Sequence, residues 1–445
     1  MRERCLNGLI WFGSAAGRRW LLRALLLYAV IGFFVWIRRA GDFAGYLTVG
    51  ELVLAGRHIY AEAPAGINTW PPFFSLVCVP LALLAWPTPY LARGVWLLLN
   101  YGLLLLVLRL IVELVYERSL SLRADSGGLS LAAAPVLLPL LLTDRFVSGN
   151  FDHLQINIVI FALALGGLHL QRRGQVLAGS AALGAAVALK VMPLVFIPYL
   201  AYRGRWRAAG YTTMAAAAFS LSPILVFGWA RFGDYLAAWR AALAVGWGVG
   251  KMNQSVFAMW DRWLGHGMVP FTVSGANYVR ESGAPLVTAV SALSLVLIAL
   301  LALWLFRGAP RREGWSTAAE WSVVFIVSAL FGPLAWKAYL VVLLLPNTLL
   351  FAAWQCAPRA GRERTVLGMV LLTFLVLGAL PSPGLVGKTL AGMLEMASTV
   401  TVATLVVLAG VLWLRARLAG EPPPRKRDEA AVLTTRMRVA EVVAP

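Results

Sequence analysis

A dozen apolar runs, separated by short joints, leave this chain of 445 residues few ways to fold. They fall near 20–37, 72–86, 94–115, 128–143, 156–170, 176–202, 208–228, 285–306, 318–335, 338–354, 366–380 and 397–414. A perpendicular bilayer crossing takes roughly 20 apolar residues. Several runs are shorter, and 176–202 is interrupted by Lys190 and Pro193. Such breaks are tolerated at membrane depth only where protein or a polar cavity shields the backbone. The pattern predicts an all-α polytopic membrane protein with about 10–13 membrane elements, some of them half-spans. Only 13% of residues are charged, against about 25% in a soluble domain.

The net charge of +19 does not point to nucleic acid, because the arginines gather at the ends of apolar runs. The positive-inside rule wants them there, on the cytoplasmic side. Arg2, Arg4, Arg18 and Arg19 precede the first run, which reads as a retained span behind a cytoplasmic N-terminus, residues 1–19. Further basic joints are Arg172-Arg173, then Arg203, Arg205 and Arg207, then Arg307, Arg311 and Arg312, then Arg359, Arg362 and Arg364. If all are cytoplasmic, segments 38–70, 229–284 and 381–396 face the other side. Segment 176–202 then enters and leaves on one face as two half-helices bent at Lys190–Pro193; a single crossing is the competing reading. The count of crossings between residues 115 and 202 does not close with these rules. The tail 416–445, rich in proline and charge, reads as a disordered cytoplasmic extension. Cys5, Cys78 and Cys356 have neither paired nor metal-ligand spacing, which predicts no zinc site and no structural disulfide.

Polar groups placed against this pattern are the candidates for chemistry. Asp42 follows the first run, beside Arg38 and Arg39. Ionised groups at a membrane boundary are costly to place without a task. Phe43, Tyr46, Leu47, Val49, Leu52 and Val53 recur at helical spacing, predicting an interfacial helix over 43–54 with Gly56 near its end. Asp42 would then be its N-cap, which does not exclude a functional role. Segment 229–260 reads similarly, with its tryptophans and tyrosines at headgroup level. Lys190, Lys251, Lys337 and Lys388 lie inside or beside apolar runs, away from the arginine joints. A buried ammonium needs an anion or dense hydrogen bonding, so Lys190 either pairs internally or meets a substrate phosphate. Gln155 and Asn157 either bind sugar hydroxyls or satisfy a broken helix end. Asn253 and Gln254 form another amide pair after Lys251. Trp336, Lys337 and Tyr339 are either an interfacial anchor or a sugar-phosphate site. His58 and His153 have no matching carboxylate spacing, so no site requires a divalent metal.

In order and spacing these stretches resemble glycosyltransferase family 87, polyprenyl-phosphate-dependent membrane enzymes of the GT-C fold class. The matching segments are GDFAGYLTVGELVLAGRHIY, NTWPPFFSLVCVPLALLAWPTPYLARGVWLLLN, LQIN, AGSAALGAAVALKVMPLVFIPYL with RGRW, NQS, and FGPLAWKAY, spread over most of residues 20–415. The resemblance implies a catalytic domain over 20–415 that takes a sugar, often mannose, from a lipid-linked monophosphate donor. It implies a lipid or polyprenol-linked acceptor, an outer-face active site in a bacterial cytoplasmic membrane, and a catalytic acid that falls on Asp42. Relatives commonly carry GQ-x-N where this chain has Leu154-Gln155-Ile156-Asn157, and a histidine just past the late tryptophan where this chain has Lys337 and Ala338. Direct displacement with inversion needs one carboxylate as base, because phosphate is already a good leaving group. Basic groups would stabilise the departing phosphate, with Lys190, Arg38, Lys251 and Lys337 the candidates in that order. Two other classes share these features: a transporter or flippase for lipid-linked sugars, and a non-enzymatic envelope-assembly subunit.

Overall fold

The computed structural model describes residues 14–63, 68–124, 127–244, 250–265, 285–307, 313–332 and 334–420. The expected tail and much of segment 229–284 therefore lie outside the described residues. Helix α1 (Ala15–Trp36) begins at Ser14, whose hydroxyl accepts from the Gly17 amide at 3.0 Å. α2 (Phe43–Leu54) and α3 (Pro72–Ala85) follow. α4 (Pro89–Tyr116) is capped by Thr88, has Pro89 in its first turn, and stops where Glu117 turns left-handed. A parallel pair of two-residue strands, β1 (Leu120–Ser121) and β2 (Leu129–Ser130), precedes α5 (Ala134–Asp152). Then come α6 (Asn157–Arg172), α7 (Val176–Leu189), α8 (Phe196–Tyr202), α9 (Trp206–Leu221) and α10 (Ile224–Ala244). α11 (Val256–Trp260), α12 (Pro285–Phe306), α13 (Glu313–Leu330), α14 (Leu344–Cys356) and α15 (Arg362–Phe374) continue the chain. Short α16 (Pro383–Val386), α17 (Lys388–Met396) and long α18 (Thr399–Gly420) complete it. Among the described residues, five helical stretches are long and apolar enough to cross a membrane alone, and two bent pairs pass the same test together. α1 and α12 keep exposed apolar hulls, including Leu26, Leu27, Leu300 and Trp304, the surface expected of a multi-pass protein in lipid.

Contacts between distant residues sort the helix ends into two sets. Arg18 donates to the Ala124 carbonyl at 3.0 Å, Trp315 to Val115 at 2.8 Å and Arg203 to Phe306 at 2.5 Å. Arg173 pairs with Glu113, and Arg172 with Glu313 at 3.6 Å. These gather the basic joints at one end of the bundle. At the opposite end, the Asp42 amide donates to His153 at 2.9 Å, Trp96 to Leu154 at 3.0 Å and Gln155 to Asp42 at 2.9 Å.

This sorting closes the count that the arginine joints left open. Run 72–86 is not a crossing. α3 has 14 residues, a length of about 21 Å, and both α2 before it and the start of α4 after it lie at the site end. α3 packs against α2, where a Cβ on Gly50 would meet the Cys78 carbonyl at 2.4 Å. α5 and α6 are bent by 119°, and both their far ends lie near the arginines, so they run out and back. Segment 176–202 breaks where the sequence predicted: α7 ends at Leu189, Lys190 is extended, and a 3-10 turn containing Pro193 leads into α8. Its two ends lie with the arginines and Lys190 at the site end, which favours the two half-helices over a single crossing. α9 and α10 are bent by 82°. α10 lies over the first loop: Arg231 donates to Gly56 at 3.0 Å, and Trp239 to Thr69 at 3.2 Å. The Trp239 indole N–H is therefore tied to the first loop, while Trp229 in the same segment is exposed. Cys78 is a buried free thiol, whereas Cys356 is disulfide-bonded. That corrects the expectation of no disulfide, because separation along the chain does not by itself exclude a pairing.

Candidate functional site

Asp42 lies outside the spanning helices, at the corner between α1 and α2. Gly41 takes φ +50°, and a Cβ there would approach the His153 carbonyl to 2.4 Å. Glycine thus lets the Asp42 amide reach that carbonyl. Asp42 occupies the N-cap position of α2, yet its side chain makes no capping bond. This corrects the capping expectation: the Asp42 backbone is αR at φ −69°, ψ −16°, unlike the extended backbone of a typical side-chain cap. The carboxylate faces the α5–α6 corner instead.

From Asp42 a chain of amides leads to Lys190. Gln155 Nε2 donates to Asp42 Oδ2 at 2.9 Å, and Asn157 Nδ2 donates to Gln155 Oε1 at 2.6 Å. Lys190 Nζ donates to Asn157 Oδ1 at 2.8 Å. The dipoles align, with the anion at one end and the cation at the other, so each bond polarises the next. Asn150 supports the centre, accepting from Asn157 at 3.1 Å and donating to the Ala338 carbonyl at 2.9 Å. The ammonium also sits 3.4 Å from the centroid of the Tyr339 ring, a cation–π contact. Burial raises the Asp42 carboxyl above the usual carboxylate range, while His153, Lys190 and the Gln155 hydrogen bond pull it back down.

The corner that holds both amides is strained. Leu154 has φ +50°, which costs a side-chain-bearing residue about 1–2 kcal/mol. Its side chain is fully buried and its carbonyl accepts from Trp96, contacts that hold the residue there. A glycine, as in relatives' GQ-x-N, would adopt this conformation without strain.

Asp42, Gln155, Asn157, Lys190, Trp336 and Tyr339 line one cavity of about 200 Å³, with Tyr46, Thr69 and Trp70. From the sequence, Tyr46 reads only as part of the apolar stripe of α2. It lies one helical turn after Asp42, and that spacing was the available signal. Its ring packs edge-on against Trp70 and Phe74, each at 4.9 Å.

Other candidates lie elsewhere. Arg38 is exposed, and Arg39 pairs with Asp152 at 2.7 Å. His58 Nδ1 accepts from the Tyr60 and Ala61 amides, which makes it a turn residue. Asn253 accepts from the Ser255 and Ala335 amides, and Gln254 donates to the Lys251 and Glu395 carbonyls. These amides tie loops together. Lys337 pairs with Glu395 at 2.6 Å and does not line the cavity, because it opens a 3-10 segment, Lys337–Leu343, that turns it away from Trp336 and Tyr339. Lys251 lies close to Gly392. The sequence reading missed Glu395, a buried carboxylate of α17, in a segment read only as an outer connection. Among the described residues no three His, Cys, Asp or Glu side chains converge as a metal-binding group.

A helical, multi-pass bundle with broken elements meeting at a polar chamber is consistent with a GT-C-type membrane protein. Residues 68–333 match the model of Glycosyltransferase family 87. The chain belongs to that family. It is also similar to the polyprenol-phosphate-mannose-dependent alpha-(1-2)-phosphatidylinositol mannoside mannosyltransferase of Mycobacterium tuberculosis, 29% identical over 249 residues. That match covers 51% of this chain and 54% of the relative, so the chain spans about half the length of that curated protein. No solved structure matches.

Proposed function

We propose that this protein transfers a sugar, mannose by analogy with its relative, from a polyprenyl-phosphate donor to a lipid or polyprenol-linked acceptor. The acceptor hydroxyl gives its proton to Asp42 as its oxygen attacks the anomeric carbon from the face opposite the phosphate. The bond from that carbon to the phosphate oxygen breaks, its electron pair leaves with the phosphate, and the configuration inverts. Asp42 Oδ2 is held by Gln155, which leaves Oδ1 to face the hydroxyl. Lys190 uses one donor on Asn157, and an ammonium has three. Its remaining N–H groups can meet the charge that develops on the leaving phosphate. A second carboxylic acid, which glycosidases use to protonate a poor leaving oxygen, is not required.

The observation that carries the reading is the shared chamber: one carboxylate and one ammonium on one cavity, bridged by two amides. A cytoplasmic arginine end is what the positive-inside rule favours, and this supports a chamber on the extracytoplasmic side of a bacterial inner membrane. The test is incubation of purified protein with labelled polyprenyl-phosphate-mannose and membrane lipid extract. A labelled new lipid with inverted linkage, absent with Asp42→Asn, supports the proposal. Donor moved across vesicle membranes but left unchanged would replace it with transport.

A further inference from the structure

At the arginine end, away from the chamber, a second cavity of about 350 Å³ lies between the start of α1 and the β1–β2 loop. Arg19, Leu22 and Arg23 form one wall, and Leu122, Arg123 and Ala124 the other. The loop is pinned in place. Arg18 Nε donates to the Ala124 carbonyl at 3.0 Å, and the Arg123 amide donates to Ser121 Oγ at 3.0 Å. The strand pair adds bonds from Leu129 to Ser119 at 2.8 Å and from Leu131 to Ser121 at 2.9 Å.

Arg23 is the unusual member. It lies inside the first span, about 12 Å along α1 from Ala15, and no charged residue follows it until Arg38. An ionised side chain there is costly unless it reaches an anion or the interface. Helical side chains lean towards the N-terminus, and the Arg23 guanidinium lies 5.1 Å from the centre of the Trp20 ring. Among the described residues no carboxylate pairs with Arg23 or Arg123, and no acidic residue lines the cavity. The rim is apolar. Leu22 and Leu122 stand beside the guanidiniums, and Leu26 and Val30 follow Leu22 at successive helical turns, both exposed. Inorganic phosphate has no use for that stripe, whereas an acyl chain covers it.

We propose that this cavity holds an anionic phospholipid of the leaflet at the arginine end, as a resident lipid that is neither donor nor acceptor. Arg23 and Arg123 take the headgroup phosphate, and an acyl chain runs along Leu22, Leu26 and Val30. Planar guanidiniums suit phosphate oxygens, and basic pockets at the cytoplasmic ends of membrane helices bind lipid headgroups. The uncompensated charge favours a lipid of net negative charge over a zwitterionic one. Bound there, the lipid bridges α1 to the β1–β2 loop and adds to the Arg18 clasp. The inference is independent of the transferase reading, because the two cavities share no residue.

The test uses full-length purified protein in phosphatidylcholine vesicles containing phosphatidylglycerol with a photoreactive acyl chain, and labelled residues are mapped by mass spectrometry. Label is expected on residues 22–30 of α1 and around Leu122, displaced by unlabelled phosphatidylglycerol and not by added phosphatidylcholine. Arg23→Gln and Arg123→Gln are each expected to weaken that binding about tenfold. Both side chains are exposed, so the variants keep the fold. Arg207→Gln removes the same charge from another basic joint at this end, and it is expected to leave the labelling unchanged. Undiminished labelling in both Arg23→Gln and Arg123→Gln overturns the site. An equal loss in Arg207→Gln overturns it too, by making the effect one of general surface charge. Displacement by phosphatidylcholine, or by millimolar inorganic phosphate, overturns its assignment to an anionic lipid.

Discussion

Two buried polar centres stand at opposite ends of this bundle, and they are closed differently. At the arginine end, Glu320 accepts from Arg415 at 2.9 and 3.0 Å and from Tyr199 at 3.0 Å, with Arg203 3.3 Å away. Both carboxylate oxygens are engaged, and the group ties α8, α13 and α18 together. At the site end, Asp42 and Lys190 do not bond each other; two amides stand between them, and each faces the cavity with bonding capacity to spare. Saturated charges hold helices in place. Separated charges with capacity left over suit a ligand.

That contrast is most directly broken at Asp42. Asp42→Asn keeps the hydrogen bond from Gln155 but removes the base, so transfer is expected to fall about 10²–10⁴-fold while the protein remains folded in detergent. Near-wild-type transfer by the purified variant would end the base assignment. Lys190→Ala comes next, with a loss of about 100-fold or more in turnover and weaker use of the phospholipid donor. A variant that misfolds while its surviving fraction handles donor normally would make Lys190 structural, like Glu320.

Glu320→Ala sharpens the comparison from the other side. Removing the buried carboxylate from Arg415 and Arg203 should lower stability by about 3–5 kcal/mol, read as a reduced unfolding midpoint. The KM of the protein that stays folded should not change, and a shifted KM would show that the two ends are coupled. The smallest effect concerns pH. Burial raises the Asp42 carboxyl and Gln155 opposes that rise. A base works only when deprotonated, so the acid limb of kcat/KM should lie above the ordinary aspartate value of about 3.9. Gln155→Leu should move that limb to still higher pH, and an unmoved limb would separate Gln155 from the base.

Much of this was legible beforehand because lipid punishes misplaced charge. The break at Lys190, the amides Gln155 and Asn157, and the corner at Asp42 all stood out against an apolar background. Periodicity could not show that run 72–86 stays at one end, since an apolar helix against α2 reads like a short span. Nor could it tell that Lys337 faces away from Trp336. That depends on a 3-10 turn and on Glu395, 58 residues further along the chain. Tyr46 carried a weak signal, a helical turn from Asp42, masked by its place in an apolar stripe.

The amide bridge also limits where hydrogen ions travel. Neither Gln155 nor Asn157 readily gains or loses a proton, and their NH₂ groups already point towards the carboxylate end. In the proposed reaction a proton captured by Asp42 has no path through the bridge to Lys190. It departs by the mouth through which the sugar lipids come and go, so the aspartate is ready again only once the proton has left by the substrates' own route.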